Sequence, residues 1–219
     1  MLLKRSKLLI QAKSAISVYN PEPFKVKNVE KLVKYARKYN FGTVFSSLNG
    51  TLSVSSVPML IDDKFSKIRG HFALANNIWR GLDCKTVMVQ FNGPNHYISP
   101  DWYEEEHAVP TWNYVNITAS GELRIIDDLE RLKQILDDLT AFEEKQIGGN
   151  WAANWSDPTL MNLTKSIVAF EILVKEVQGK WKLSQNHPRE KCMNVSRHLR
   201  ALGSSKSSEM ANLMDSPWL

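Results

Sequence analysis

The chain has 219 residues, of which 43% are hydrophobic and 23% charged, and its formal net charge is +5. This composition is ordinary for a globular protein, and no apolar run approaches the ~20 residues of a membrane-spanning helix. Cys84 and Cys192 lie far apart and in no metal-binding spacing, which excludes a zinc site built on paired cysteines and favours reduced thiols.

The positive charge is concentrated at the N-terminus. Residues 1–20 supply +4 and contain no acid, which leaves about +1 for the rest of the chain. The body therefore lacks the basic excess of a nucleic-acid groove. Residues 1–19 are consistent with a leader, a disordered extension or an upstream start codon. We expect a cytoplasmic location, or an organellar one if these residues are a leader.

Local sequence signals predict one helix and three strands at the start of the chain. Asn28 is a plausible N-cap for a helix over Val29–Tyr39. Strands are then predicted over Thr43–Leu48 and Thr51–Leu60, joined by Asn49-Gly50, a pair that suits a type I′ turn. A third strand follows over Ser66–Phe72, and the short connections make the pairing antiparallel.

The segment RGHFALANNIWR, residues 69–80, predicts a strand that runs into a helix capped by Asn76 or Asn77. Arg69 and His71 alternate onto one face of that strand. A helix N-terminus has free N–H groups that suit a phosphate, and the two side chains add charge-assisted bonds to the same anion. The alternative is a purely structural junction.

A buried strand is predicted over Lys85–Phe91 and is followed by Gly93–Tyr114, which combines five Trp and Tyr residues with three prolines. Such a stretch indicates a rigid loop that borders a site, or one that only covers the end of a sheet. Pro110–Ala119 and Gly121–Ile126 are predicted to form a hairpin through Ser120-Gly121.

The remaining elements alternate helix and strand. A long helix is predicted over Leu129–Glu143, a strand over Ile167–Val177, and a last helix from His187-Pro188 to Leu202. The basic stretch Arg189–Arg200 within that helix favours a solvated face over a nucleic-acid contact. Residues 203–219 are rich in serine and are predicted to be disordered, at least in part.

The motif GKWKLSQN precedes the last helix. In extended geometry Lys180, Lys182 and Ser184 share one face, which predicts either a phosphate clamp or an exposed lysine-rich edge. The histidines have no metal-binding spacing, and the sequence indicates no pair of carboxylates as a catalytic acid and base. About seven strands with peripheral helices predict a mainly β, α+β fold: an antiparallel barrel or sandwich.

Four motifs together resemble the PaiB family of FMN-binding negative transcriptional regulators. They are RGHFALANNIW, GPNHYISPDWY, VPTWNY and GKWKLSQN, and the similarity runs from about Tyr19 to about Leu202. The resemblance implies an antiparallel FMN-binding split β-barrel, a homodimer, with FMN at the interface. The chain divides accordingly into a basic extension (1–19), one barrel domain (20–202) and a tail (203–219).

The resemblance also implies a set of FMN-binding residues. Those expected at the phosphate are Arg69, His71, Asn76 and Trp79; those bordering the isoalloxazine ring are Thr111, Trp112 and Asn113; those added by the other subunit are Lys180, Lys182, Ser184 and Gln185. Asn77 stands where the family usually has proline. The implied function is flavin-dependent repression of transcription. The alternatives are an oxidoreductase that uses NAD(P)H and a small acceptor, and a barrel without flavin that serves as an interaction module. Nucleic acid stays open as a partner.

Overall fold

A computed structural model describes residues 17–216, and residues 1–16, most of the predicted basic extension, lie outside the described residues. Seven strands form one antiparallel sheet in the order β1-β7-β4-β3-β2-β5-β6, and β6 also pairs with β7. The last pairing closes strands β2 to β7 into a six-stranded barrel, and β1 is added beside the end of β7. The strands are β1 Lys25–Val26, β2 Phe41–Leu48, β3 Thr51–Ile61, β4 Lys67–Ala73, β5 Lys85–Ile98, β6 Thr111–Ile126 and β7 Ile167–Lys182.

Within the part of the chain that the structure describes, five helices pack outside the barrel: α1 Val29–Lys38, α2 Leu129–Ile147, α3 Pro158–Leu163, α4 Arg189–Ala201 and α5 Ser205–Asp215. The antiparallel barrel with peripheral helices confirms the predicted fold class. No helix within residues 17–216 is both long and apolar enough to cross a bilayer.

The first half of the chain follows the local signals. Asn28 accepts a hydrogen bond from the Lys31 backbone N–H and caps α1. Asn49 and Gly50 adopt φ values of 52° and 81°, as a type I′ turn requires, and β2 and β3 pair in register around them.

Four predictions about elements are wrong. The strand predicted to end at Phe91 continues as β5 to Ile98, so the loop expected from Gly93 begins only after it. No turn occurs at Ser120-Gly121, because β6 continues through a bulge and Gly121 lies against the backbone of Leu173. Instead of a helix after β4, the chain makes one 3₁₀ turn over Asn77–Trp79 and passes into β5. The segment predicted to be a disordered tail forms α5, which buries Met210 and Met214 among its apolar residues.

Two apolar clusters hold the fold together. The larger fills the barrel and continues under α1, α4 and α5 at one end, with Phe72, Phe170 and Trp181 almost fully buried. The smaller joins the buried face of α2 to the outside of the barrel through Ile135 and Ala169. The helices therefore cover one end and one side of the barrel.

Another part of the barrel's outer surface carries exposed apolar side chains. Phe41, Leu52 and Val54 on β2 and β3 are 67%, 82% and 62% exposed. Isolated exposed apolar residues are common, and these three lie on the same face of two paired strands. We call these residues the outer sheet face.

Candidate functional site

The predicted phosphate residues lie together at the end of β4 and in the turn that follows, and we call Arg69, His71, Asn76 and Trp79 the His71 cluster. Three of them already bond within the fold. Arg69 Nη1 donates to Asp138 Oδ2 of α2 at 2.8 Å. Asn76 accepts from the Ile78 N–H and donates to Ser55 Oγ at 2.8 Å, and the Trp79 indole donates to the Leu74 carbonyl at 3.1 Å.

His71 differs from its neighbours. Its Nδ1 atom is buried and has no hydrogen-bond partner among the described residues. Burial also lowers the pKa of His71, because a charged imidazolium loses hydration there. A buried polar atom without a partner is costly, and such an atom indicates either strain or a missing ligand.

The helix expected at this point would have directed its N-terminal dipole at a phosphate. The single 3₁₀ turn over Asn77–Trp79 has no such macrodipole, so the electrostatic argument from a helix N-terminus does not apply here.

A second group, Thr111, Trp112, Lys180 and Lys182, lies where β6 begins and β7 ends, and we call it the Lys182 cluster. Lys182 Nζ donates to Thr111 Oγ1 at 2.5 Å and to the Trp112 carbonyl at 2.7 Å. Lys180 Nζ donates to the Tyr19 carbonyl at 2.8 Å and lies 5.3 Å from the centroid of the Tyr114 ring.

Neither lysine forms an ion pair with a carboxylate of residues 17–216. Lys25, Lys67, Arg69 and Lys175, in contrast, each pair with a carboxylate. Burial and the charge of Lys180 lower the pKa of Lys182. An anion placed here would relieve the repulsion between the two ammonium groups and restore the pKa. The pair is therefore suited to a phosphate.

Aromatic surface adjoins the two lysines. Trp112 is 53% exposed and Tyr97 is 42% exposed, and their rings meet edge to face with centroids 6.0 Å apart. Tyr97 was not among the predicted residues, although it belongs to the aromatic stretch that the sequence marks. Exposed ring faces beside cations suit a planar anionic ligand.

The other three predicted residues are positioned differently. Asn113 and Ser184 are 0% and 2% exposed. Asn113 Nδ2 donates to Ser184 Oγ at 3.0 Å, and the Tyr103 hydroxyl lies 2.6 Å from the same oxygen. Gln185 bonds to the backbone of Leu183 and Trp181. In this chain these side chains fasten the end of β7 to its surroundings.

The two clusters lie far apart along β7. His71 pairs with Ala169 near the start of β7, and Lys180 pairs with Asn116 near its end. At ~3.3 Å per residue, about 35 Å of strand separates these points. Along the strand, the predicted residues therefore fall into two groups near opposite ends of β7.

The basic residues of α4 face other groups of the protein. Lys191 donates to the Glu104 carbonyl at 2.8 Å, Arg197 lies 3.7 Å from the Glu104 carboxylate, and Arg200 pairs with Asp215. These bonds explain the basic stretch by packing between helices and loops. Within residues 17–216 no cluster of His, Cys, Asp or Glu is arranged to hold a metal ion.

Comparison with known proteins gives consistent similarities. The family model described as "Putative FMN-binding domain" matches residues 18–176. Protease synthase and sporulation protein PAI 2 of Bacillus subtilis is 33% identical over 201 residues, which cover 90% of this chain and 97% of that protein.

Solved structures share the fold at low identity. The FAD and heme binding protein from Mycobacterium smegmatis aligns with a TM-score of 0.56 at 13% identity, covering 72% of this chain and 73% of that chain. The flavocytochrome Anf3 from Azotobacter vinelandii aligns with a TM-score of 0.52 at 13% identity, covering 72% and 69%. These alignments support the split-barrel architecture alone.

Proposed function

The chain belongs to the PaiB-type family of FMN-binding domains, whose cofactor is FMN, and we propose that it binds FMN with the Lys182 cluster and His71. The observation that carries the proposal is Lys182, a half-buried cation that no carboxylate of the described residues neutralises. Lys180 and Lys182 are assigned to the phosphate. Arg69 is a weaker candidate because Asp138 already neutralises it.

The residues present fit the parts of FMN. The phosphate requires cations and hydrogen-bond donors, which Lys180 and Lys182 supply. The isoalloxazine ring requires a flat apolar wall, which Trp112 and Tyr97 offer. The polar edge of the isoalloxazine ring requires a donor or acceptor. His71 Nδ1 is a buried atom that can act as either and has no hydrogen-bond partner among the described residues. Bound FMN supplies electron transfer, and the protein has only to bind and orient it.

A second copy of the chain is part of the proposal. In one copy the two clusters lie near opposite ends of β7, about 35 Å apart along the strand, so we assign the two sets of contacts with one FMN to different subunits. The outer sheet face is suited to the contact between them, since it exposes Leu52 and Val54 beside polar neighbours such as Thr43 and Ser56. In this arrangement FMN lies at the interface of a homodimer.

Flavin-dependent regulation of transcription is the first candidate for the biological role. It rests on the similarity to PAI 2 over nearly the full length of both chains. The pairing of Arg197 and Arg200 with carboxylates argues against α4 as a DNA-reading element. Repression would therefore act through another surface or through a partner protein.

An NAD(P)H-dependent oxidoreductase is the second candidate. The observation that favours it is the exposure of Trp112 and Tyr97, since an open ring surface beside a flavin leaves room for a planar electron donor. Lack of a designated acid–base pair is no obstacle, because the flavin performs the chemistry.

The test of FMN binding is the visible absorption spectrum of the purified full chain, followed by titration with FMN. Lys182→Gln should weaken FMN by about tenfold or more, because it removes one charge-assisted bond to phosphate. Lys175→Gln is the control, since Lys175 is another lysine of β7 but is exposed and pairs with Glu122. Equal affinities in all three proteins would contradict the proposed phosphate site.

Anaerobic addition of NADH or NADPH separates the two roles. Bleaching of the flavin bands supports the oxidoreductase, and unchanged bands support the regulator. The homodimer is tested by Val54→Asp, which should yield monomers that no longer retain FMN. Leu163→Asp, on an equally exposed apolar residue of α3, should leave the dimer intact. A monomeric wild-type protein that binds FMN would overturn the shared site.

A further inference from the structure

The sequence contains two Asn-Gly pairs, Asn49-Gly50 and Asn92-Gly93, and the fold places them in different surroundings. Asn-Gly is the dipeptide most prone to deamidation, because a glycine without Cβ does not obstruct the attack of its own backbone nitrogen on the preceding side chain. The two pairs are chemically identical. Any difference between their reactivities must therefore come from the structure around them.

The first pair forms the turn between β2 and β3. Asn49 and Gly50 are both exposed, and their φ values of 52° and 81° are those of a type I′ turn. The ladder closes with the pair Leu48 and Thr51, so the Gly50 N–H lies outside it. A Cβ on Gly50 would meet no atom of the described residues within 4 Å. The turn therefore leaves the Gly50 nitrogen free to approach the Asn49 side chain.

The second pair lies inside β5, which pairs with β6 on both sides of it. Asn92 Oδ1 accepts a hydrogen bond from Gln90 Nε2 at 2.7 Å. A Cβ on Gly93 would lie 3.0 Å from the Cβ of Val115, so the backbone here is closely packed. Ring closure requires the backbone to rotate, and this rotation would break ladder bonds and disturb the packing at Asn92 but not at Asn49.

We propose that Asn49 is a site of spontaneous deamidation and that the fold protects Asn92. The deprotonated Gly50 nitrogen forms a bond with Asn49 Cγ, the Cγ–Nδ2 bond breaks, and the leaving nitrogen takes up a proton and departs as ammonia. Water then opens the resulting five-membered succinimide at one of its two carbonyl groups. The product is aspartate or isoaspartate, and each event replaces a neutral amide by a carboxylate without any oxidant or reductant.

The modification would act on the hairpin that carries the outer sheet face. Aspartate is compatible with a type I′ turn, whereas isoaspartate adds an atom to the backbone of a turn that sets the strand register. Both products place a negative charge near Leu52 and Val54, whose contact with a second subunit would then have to desolvate it. We therefore expect deamidation to weaken the homodimer, and this consequence rests on the proposed function.

The test is peptide mass spectrometry of the full chain after incubation in warm, mildly alkaline buffer. Trypsin separates the two pairs into peptides 39–64 and 86–124. We expect the gain of about 1 Da to appear at Asn49 at least about tenfold faster than at Asn92. In urea the two rates should agree within about threefold, because the dipeptides are the same. Equal rates in the folded protein, or no gain at Asn49, would overturn the proposal.

Asn49→Gly provides the matched variant, since Gly-Gly also suits a type I′ turn but has no side-chain amide to react. Gel filtration of incubated samples should show loss of dimer in wild type and in Asn49→Asp, but not in Asn49→Gly. An unchanged dimer in fully modified wild type would overturn the effect on the subunit contact. A fresh wild-type protein that is monomeric would contradict the homodimer, and the mass measurement would still decide whether Asn49 is the site.

Discussion

Arg69 Nη1 on β4 lies 2.8 Å from Asp138 Oδ2 on α2, and this ion pair fastens the helix to the outside of the barrel. Both side chains are about one-third exposed, at 32% and 33%. An arginine already neutralised in this way binds a phosphate less strongly than its position in the motif RGHFALANNIW indicates. The structural role of Arg69 can be distinguished from phosphate binding by comparing the effects of substituting Arg69 and Asp138.

We expect Arg69→Ala and Asp138→Ala each to lower the free energy of unfolding by about 0.5–1 kcal/mol, because a partly exposed ion pair contributes little more. A double-mutant cycle measured by urea unfolding should attribute most of each loss to the same interaction. If Arg69→Ala weakens FMN strongly while Asp138→Ala does not, Arg69 contacts the phosphate and the structural interpretation fails.

His71 should make the folded protein less stable as the pH falls. Burial lowers its pKa in the folded protein, so between its ordinary value of about 6.5 and the lower folded value only the unfolded chain takes up the proton. Stability is therefore fully present above about pH 6.5 and is lost as the pH falls below that value. His71→Asn should reduce this slope, as measured by urea unfolding of the apoprotein from pH 7.5 to 5. Identical slopes would show that His71 is not responsible.

The buried bond between Asn113 and Ser184 should matter for folding more than for the cofactor. Asn113→Ala leaves the Ser184 hydroxyl with one partner fewer in the core, and we expect a loss on the order of 1–3 kcal/mol. Asn116→Ala, three residues along β6 and only partly buried, is the control and should change stability by less than about 0.5 kcal/mol. The FMN affinity of folded Asn113→Ala should equal that of wild type, and a large loss of affinity without loss of stability would return Asn113 to the flavin site.

Two adjacent residues at the β6 bulge should respond oppositely to alanine. A Cβ on Gly121 would lie 2.2 Å from the Leu173 carbonyl oxygen, which is backbone and cannot give way cheaply. Gly121→Ala should therefore cost on the order of 1–3 kcal/mol or more. The Ser120 hydroxyl is buried and has no hydrogen-bond partner within residues 17–216, so Ser120→Ala should be neutral or stabilising. Thermal unfolding of both variants checks the contrast, and a destabilised Ser120→Ala would indicate a partner for its hydroxyl.

Local sequence signals predicted several features because their causes are local. The cap at Asn28 and the turn at Asn49-Gly50 depend on a few adjacent residues, and both occur where expected. Pro94 and Gly121 were interpreted as breaks, yet β5 and β6 pass through them with irregular pairing. A bulge tolerates such residues, and only the partner strand decides between a bulge and a turn.

The sequence of α5 contains a helical pattern of apolar residues that its serine-rich composition obscured. Met210, Leu213 and Met214 have helical spacing and are buried, but the serines around them suggested disorder. Their burial depends on the end of the barrel that α5 covers, which is built from strands more than 100 residues earlier in the chain, as the contact of Asn113 with Met214 illustrates. Apolar residues form a helix there because a distant surface receives them.

The sequence by itself determined the family and the antiparallel barrel, since both depend on motifs and on alternation along the chain, and it predicted a set of residues for FMN. Only the tertiary structure decided how those residues are distributed. It placed Asn113 and Ser184 in the core and gave Arg69 a carboxylate partner, whereas no carboxylate of the described residues pairs with Lys182. The physical reason is that a motif specifies side chains, whereas the available hydrogen bonds and charges depend on which strands and helices the fold brings beside them.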